Sequence, residues 1–219
     1  MRKWLNAGLL LGVVLVLSGS ASAKSPQKSP SFYGEARTTG TVGNQSRSIV
    51  TKMWFISNTM YRADQVEGPN TMIRIENGTN VWLLDPKTHE AHHISLPANI
   101  YDHIRGQSNV FGNELVGLKS AGVKKIGVEV VDKVQCVHYQ STVQGLTVNL
   151  WTIPSQRNRT LKVVSDGKAG PQQIPIHLVT VYQNWKWNIH EPATYFKPPA
   201  GYKVVEMALP MMPGPPAKK

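Results

Sequence analysis

Thr71-Met-Ile-Arg-Ile-Glu-Asn-Gly-Thr-Asn-Val-Trp-Leu-Leu-Asp-Pro86 is the stretch that decides the fold. From Thr71 to Glu76 the residues alternate, with Ile73 and Ile75 toward one face and Met72 and Arg74 toward the other. Asn77-Gly78 has the chemistry of a tight hairpin turn, and Asn80 to Asp85 is the returning strand. Asp85-Pro86 ends it. A hairpin of this kind belongs to an antiparallel sheet.

Working outward, the same reading gives strands at Phe32 to Thr39, at Ser48 to Ile56 and Thr59 to Val66 (one long strand or two), and at His89 to Leu96. The middle changes period. Pro97 suits a first helical turn, Ile100, Tyr101 and Ile104 follow at helical spacing, and Phe111, Leu115 and Leu118 repeat i, i+4, i+7. Asn109 to Ser120 is therefore a second short helix, weakened by its glycines. Strands resume at Lys124 to Val131, Val134 to Thr142, Leu146 to Ile153, Thr160 to Ser165 and Ile174 to Asn188, with turn signals at Gln144-Gly145 and Asp166-Gly167. The order is strands, a helical insert, then strands. It predicts a mainly β domain over 32–207, a curved antiparallel sheet with a short helical lid on its concave face. Met53-Trp-Phe-Ile56 is apolar on both faces, so each side there needs a cover: the helical insert, a curled sheet or a ligand.

The ends read differently. Arg2 and Lys3, an apolar run from Leu9 to Leu17 and a small-residue site ending at Ala23 form a secretory signal peptide, cleaved after Ala23. Residues 24–31 are a Ser/Pro/Lys lead-in, and 208–219 a disordered Pro/Lys tail. The expected location is the periplasm. The formal net charge of +11 falls to +9 without Arg2 and Lys3. In that compartment a basic protein meets anionic lipid surfaces or acidic polymers rather than nucleic acid. Cys136 is the only cysteine, which excludes an intramolecular disulfide, and it reads as a small buried hydrophobe in a strand.

Lys52-Met-Trp-Phe through Tyr61-Arg-Ala-Asp64, then Ile75-Glu-Asn-Gly-Thr-Asn-Val-Trp-Leu-Leu-Asp-Pro86, resembles the LolA-like periplasmic lipoprotein carriers. Val134-Gln-Cys-Val-His-Tyr139, Leu150-Trp-Thr-Ile-Pro154 and Phe196-Lys-Pro-Pro-Ala-Gly-Tyr202 resemble that superfamily's later strands and closing segment. The resemblance covers Ser31 to Met207. It implies an unclosed β-barrel with a helical lid over a hydrophobic cavity that shields acyl chains during transit through water. No helix precedes Phe32, so such a lid rests on Pro97 to Ser120 alone. The wall set expected is Trp54, Ile56, Ile73, Ile75, Trp82 and Leu84, with Tyr101, Phe111, Leu115 and Leu118 from the lid. The resemblance also implies Arg62 as the residue that ties the lid by donating to its backbone.

Other chemistry is sparse. His89-Glu-Ala-His-His93 matches H-E-x-x-H, which binds zinc only on a helix. On a strand the outer histidines stand about 13 Å apart, too far for one ion. The segment is therefore read as an exposed polar strand, with no metal, and His93→Ala is expected to be neutral. His103, His138, His177 and His190 show no ligand spacing, and no nucleophile elbow or phosphate loop is present. Trp185 and Trp187 share a strand face. The sequence thus points to a non-enzymatic carrier or sensor of a lipid or acylated ligand, without a cofactor. The alternative is a module that binds an envelope protein or polymer and carries no lipid. The oligomeric state is open.

Overall fold

The computed structural model describes residues 30–98 and 111–208, which form one unclosed, curved sheet of twelve strands. The strands are β1 (Phe32–Val42), β2 (Gln45–Ser57), β3 (Met60–Glu67), β4 (Asn70–Asn77), β5 (Asn80–Asp85), β6 (Glu90–Ser95), β7 (Lys124–Val131), β8 (Val134–Val143), β9 (Leu146–Ile153), β10 (Arg159–Ala169), β11 (Ile174–Trp187) and β12 (Lys203–Glu206). The signal peptide, most of the lead-in, Tyr101 with the first lid helix, and the tail from residue 209 lie outside the described residues.

The sheet is two meanders sewn together. Strands β1 to β6 pair in sequence, β7 to β11 pair in sequence, and β1 joins β11 at the centre, giving the order β12-β6-β5-β4-β3-β2-β1-β11-β10-β9-β8-β7. The connection between the meanders starts at one end of the sheet and re-enters at the other. Every pair is antiparallel except β12 with β6, which is parallel, so the fully antiparallel expectation is corrected at that edge. A parallel pair suits a strand that arrives after a long connection.

The stretch from Thr71 to Pro86 forms the expected hairpin, with Ile73 opposite Leu84 and Ile75 opposite Trp82. The segment around Asn58 resolves into two strands, because the β2 register slips between Phe55 and Ser57 and the chain turns there. Asp166-Gly167 is not a turn. Both residues sit inside β10, paired to Thr147 and Leu146 on one side and to His177 and Ile176 on the other. Ladders on both sides override the local turn preference. The chain reverses instead at Gly170–Gln173.

The second helix is shorter than its periodicity predicts. It runs Glu114–Leu118 (α1) and continues as one 3-10 turn, Lys119–Ala121. Gly112 at φ +68° and Asn113 at φ −142° cannot belong to a helix, so it starts only after them. Gly122, left-handed at φ +68°, stops it.

Directly paired antiparallel residues point to the same side, so the registers define two faces. One carries Met53, Phe55 and Tyr61, then Ala36, Leu178, Val163, Val148 and Leu150, and α1 packs on it. We call it the helix face. The other carries Trp54, Arg62, Ile73, Ile75, Trp82 and Leu84. The segment from Ala193 to Phe196 and Tyr202 packs on it, and we call it the clasp face. The two-sided apolar run Met53 to Ile56 therefore has a cover on each side. One is the insert, as expected. The other is the C-terminal segment, which the sequence reading did not offer.

Candidate functional site

The ten expected wall and lid residues do not line one cavity. Trp54, Ile56, Ile73, Ile75, Trp82 and Leu84 share the clasp face, as the alternation in β4 and β5 demands. Phe111, Leu115 and Leu118 pack on the helix face, among Leu146, Val148, Leu150, Tyr182 and Trp185. A sheet separates the two groups, which corrects the single-cavity expectation for the described residues. Ile75 and Leu84 are nearly inaccessible, and what fills the space above them is Phe196, itself fully buried. Arg62 is corrected too. Its guanidinium donates to Asp64 from Nε at 2.7 Å and Nη2 at 3.0 Å, and stacks 4.3 Å from the Tyr195 ring, on the face away from α1. Burial works against its charge, but the Asp64 hydrogen bonds and charge outweigh it and raise its pKa. It is tied to the clasp.

The H-E-x-x-H segment lies on β6 after a turn in which His89 takes φ +53°, so no helix brings its histidines together. The neutral reading of His93 is corrected. Its ring stacks on Trp82 at 5.2 Å, its Nδ1 contacts Glu206 at 2.8 Å and its Nε2 contacts Asn80 at 2.9 Å. It joins β5, β6 and β12.

Three places remain in which chemistry is concentrated. The first is an open cleft of about 570 Å³ lined by Tyr33, Glu35, Trp54, Trp185, Lys186 and Glu191, with Asn184 and Ile189. A bulge builds it: the β1–β11 register shifts between Tyr33 and Glu35, with Asn184 left-handed at φ +57°. The chain leaving β11 then supplies Ile189 and Glu191. Tyr33 and Trp54 touch with centroids 5.0 Å apart, and Lys186 Nζ stands 5.7 Å from the Tyr33 ring. Glu35 accepts hydrogen bonds from Tyr33 and from Asn184 at 2.9 Å. The Tyr33 bond is the main reason its carboxyl is held below the usual range. The cleft thus offers aromatic walls with a polar, mixed-charge rim.

The second place is an aromatic stack on the helix face. Arg159 lies 4.4 Å from the Phe32 ring, 4.3 Å from Trp185 and 4.0 Å from Trp187. Trp185 and Trp187 do share a face, stacked at 6.0 Å. The Trp185 ring is seated between Gly34 and Gly112, at each of which a Cβ would collide with it. Burial pulls the Arg159 pKa down to about 10, partly offset by Glu114.

The third is buried Glu114. Its Oε1 accepts from Tyr182 at 2.5 Å and from the Gly112 backbone at 2.9 Å. Its Oε2 and the hydroxyls of Thr152 and Thr160 are buried without a well-formed hydrogen bond among the described residues. Burial raises the Glu114 pKa, with Thr160 and Tyr182 opposing it. The contrast is Glu76, equally buried, which accepts from both Tyr61 and Arg74. Sequence periodicity gave no sign of Glu114, Arg159 or the clasp. For the clasp, the signals the sequence did carry were the Phe196-to-Tyr202 segment, marked by its resemblance, and the β-branched pair in Lys203-Val-Val-Glu206 that follows it.

No family model matches the chain, and no curated protein does. Solved structures do. An uncharacterized conserved protein from Thermus thermophilus is 10% identical, over 80% of this chain and 90% of that one, with a TM-score of 0.52, and shares the fold. A LolA superfamily protein from Nitrosomonas europaea matches at 13% identity over 84% and 96% of the two chains, with a TM-score of 0.37. The MucA/MucB complex from Pseudomonas aeruginosa matches at 9% identity over 81% and 59%, with a TM-score of 0.41.

Proposed function

We propose that the protein is a non-enzymatic binding protein of the bacterial envelope that takes an amphipathic, acylated ligand into the cleft beside Trp54. The observation that carries this reading is the cleft itself. It is about 570 Å³, within the range of small-molecule sites, with aromatic walls for an apolar chain and a rim of Lys186, Glu35 and Glu191 for a polar head. Each methylene moved from water onto such walls gains up to about 0.8 kcal/mol. The sequence resemblance to LolA-like carriers and the secretory start of the chain support the same class. In this reading the expected acyl site moves from beneath the insert to the bulge of β11.

The test is titration of a fluorescent long-chain fatty acid. Saturable binding is expected, weakened more than tenfold by Trp54→Ala, equivalent to at least about 1.4 kcal/mol, and unaffected by Val116→Asp on the exposed side of α1. Absence of saturable binding, or indifference to Trp54→Ala, overturns the reading. A second reading, a protein- or polymer-binding module without lipid, is favoured by one observation: side chains fill the core on both faces, with Phe55, Leu118 and Phe196 at or near zero exposure.

A further inference from the structure

The clasp covers only part of its face. Its 3-10 turn packs on β3 and β4 and reaches Trp54 of β2 through Tyr195. Past Trp54 the same face runs on across β1, β11, β10 and β9, with no cover among the described residues. Direct pairing traces one row over it: Val66, Val50, Arg37, Val181, Lys162 and Trp151, each opposite the next. In a neighbouring row Val179 stands opposite Val164. The valines are half-buried, while Arg37 is exposed. Lys162 Nζ lies 5.5 Å from the Trp151 ring. Short aliphatic side chains with long cations standing between them make up this open surface.

The charges here are unequal in their partners. Each carboxylate that the strands place on this side is engaged: Asp64 by Arg62, Glu35 by Tyr33 and Asn184, Glu129 by His138, and Asp166 by His177. Glu191, in the chain after β11, shares the rim of the cleft with Lys186. Arg37, Lys52, Lys162 and Lys186 make no ion pair among the described residues. Four cations without a fixed carboxylate leave the open part of the face positive, and a positive surface draws in an anionic one.

The layout selects the partner. Counted from the cleft, Lys186, Lys52 and Arg37 fall in three successive rows, and Lys162 shares the row of Arg37. Lys52 on β2 and Lys162 on β10 are three strand spacings apart, about 14 Å. The cations therefore cover an area. A linear polyanion follows a line of charge, whereas the phosphates of a bilayer surface fill a plane. Valines between the cations, with Tyr33 and Trp54 at the cleft, suit the boundary between headgroups and acyl chains.

We infer that this face docks on an anionic phospholipid bilayer, with Arg37, Lys52 and Lys162 toward the phosphates and the open cleft beside Trp54 against the headgroups. The inference stands on the charge layout and needs no ligand in the cleft.

The experiment is co-sedimentation of the mature full-length chain with mixed phosphatidylglycerol–phosphatidylcholine vesicles, with circular dichroism checking the strand content of each variant. The wild type is expected to bind these vesicles at low salt, to leave them at high salt, and to ignore vesicles of phosphatidylcholine alone. R37Q/K162Q should weaken binding about thirtyfold, the equivalent of about 2 kcal/mol. R37E/K162E should weaken it further. K119E/K125E lowers the net charge as much as R37E/K162E does, but on the insert and on the helix-face side of β7, and should stay within about threefold of wild type. No cleft residue is altered, so this assay and the fatty-acid titration fail independently. A wild type that does not bind the mixed vesicles, an R37Q/K162Q variant that binds as wild type, or an equal loss in K119E/K125E and R37E/K162E overturns the proposal. So does tighter binding to soluble polyglutamate than to the vesicles, which would make the occupant an acidic polymer.

Discussion

The two faces of the sheet solve the same problem with different material. On the helix face, the core of Leu146, Val148, Leu150 and Leu178 is closed by α1, an element only five residues long, through Leu115 and Leu118. On the clasp face, Ile73, Ile75, Leu84 and Ala91 are closed by Tyr195, Phe196 and Tyr202 from a segment with one 3-10 turn. The helix-face cover comes from the connection between the meanders, whose β-strands flank it in sequence. The clasp-face cover comes from more than a hundred residues further along the chain. An apolar strand face dictates that something must cover it, but not which part of the chain does so.

The comparison predicts two independent covers, and its largest consequence is additive. Phe196→Ala should destabilise the fold by about 3–5 kcal/mol and Leu118→Ala by about 2–5 kcal/mol, as for other fully buried side chains. Because a sheet separates them, the double variant should equal the sum to within about 0.5 kcal/mol. Urea unfolding of the four proteins measures this. A coupling well beyond that margin would show that the two covers act as one.

A second prediction concerns the carboxylates behind the helix face. The Glu114 pKa is raised in the folded state, so Glu114 favours folding in its neutral form. That contribution is complete below the ordinary carboxylate pKa of 4.5 and is lost as pH rises through the higher folded value. Glu114→Gln keeps an acceptor for Tyr182 and removes the titration. Stability of the wild type relative to this variant should therefore fall as pH climbs from 4 toward neutrality. Parallel stability curves across that range would mean that Glu114 ionises without penalty.

The smallest effect sharpens the clasp. His93→Ala removes the contacts to Glu206 and Asn80 and the stack on Trp82, and should cost about 1 kcal/mol. The more telling readout is local. Amide exchange should speed up in β12 and leave β7 to β11 unchanged. Uniform acceleration would place the histidine in the general stability of the sheet.

Much of this architecture was legible in the chain. Alternation located β4, whose Ile73 and Ile75 are buried against a core while Met72 and Arg74 are more accessible, and Asn77-Gly78 turned it back into β5 as a hairpin. The Phe111, Leu115, Leu118 spacing identified the residues that seat α1, though not its short length, which Gly112 and Asn113 set through backbone angles. Within the candidate site, Trp54 was marked by its place in a two-sided apolar run. Glu35, Lys186 and Glu191 were not, because single polar residues on strands carry no periodic signal.

By itself, then, the sequence determined the strand register of local hairpins, the parity that puts Ile73, Ile75, Trp82 and Leu84 together, and the need for a cover on both sides of Met53 to Ile56. These follow from the two-residue period of a strand and from turn chemistry, which act over a few residues. Only the tertiary structure decided that the lid residues and those wall residues lie on opposite faces. It alone showed that Arg62 serves the clasp, that Asp166-Gly167 stays in a strand, and that β12 joins β6 in parallel at one end of the sheet. Each of these depends on which distant strands pair. Pairing is settled by burial summed over the whole sheet, and no local window contains it.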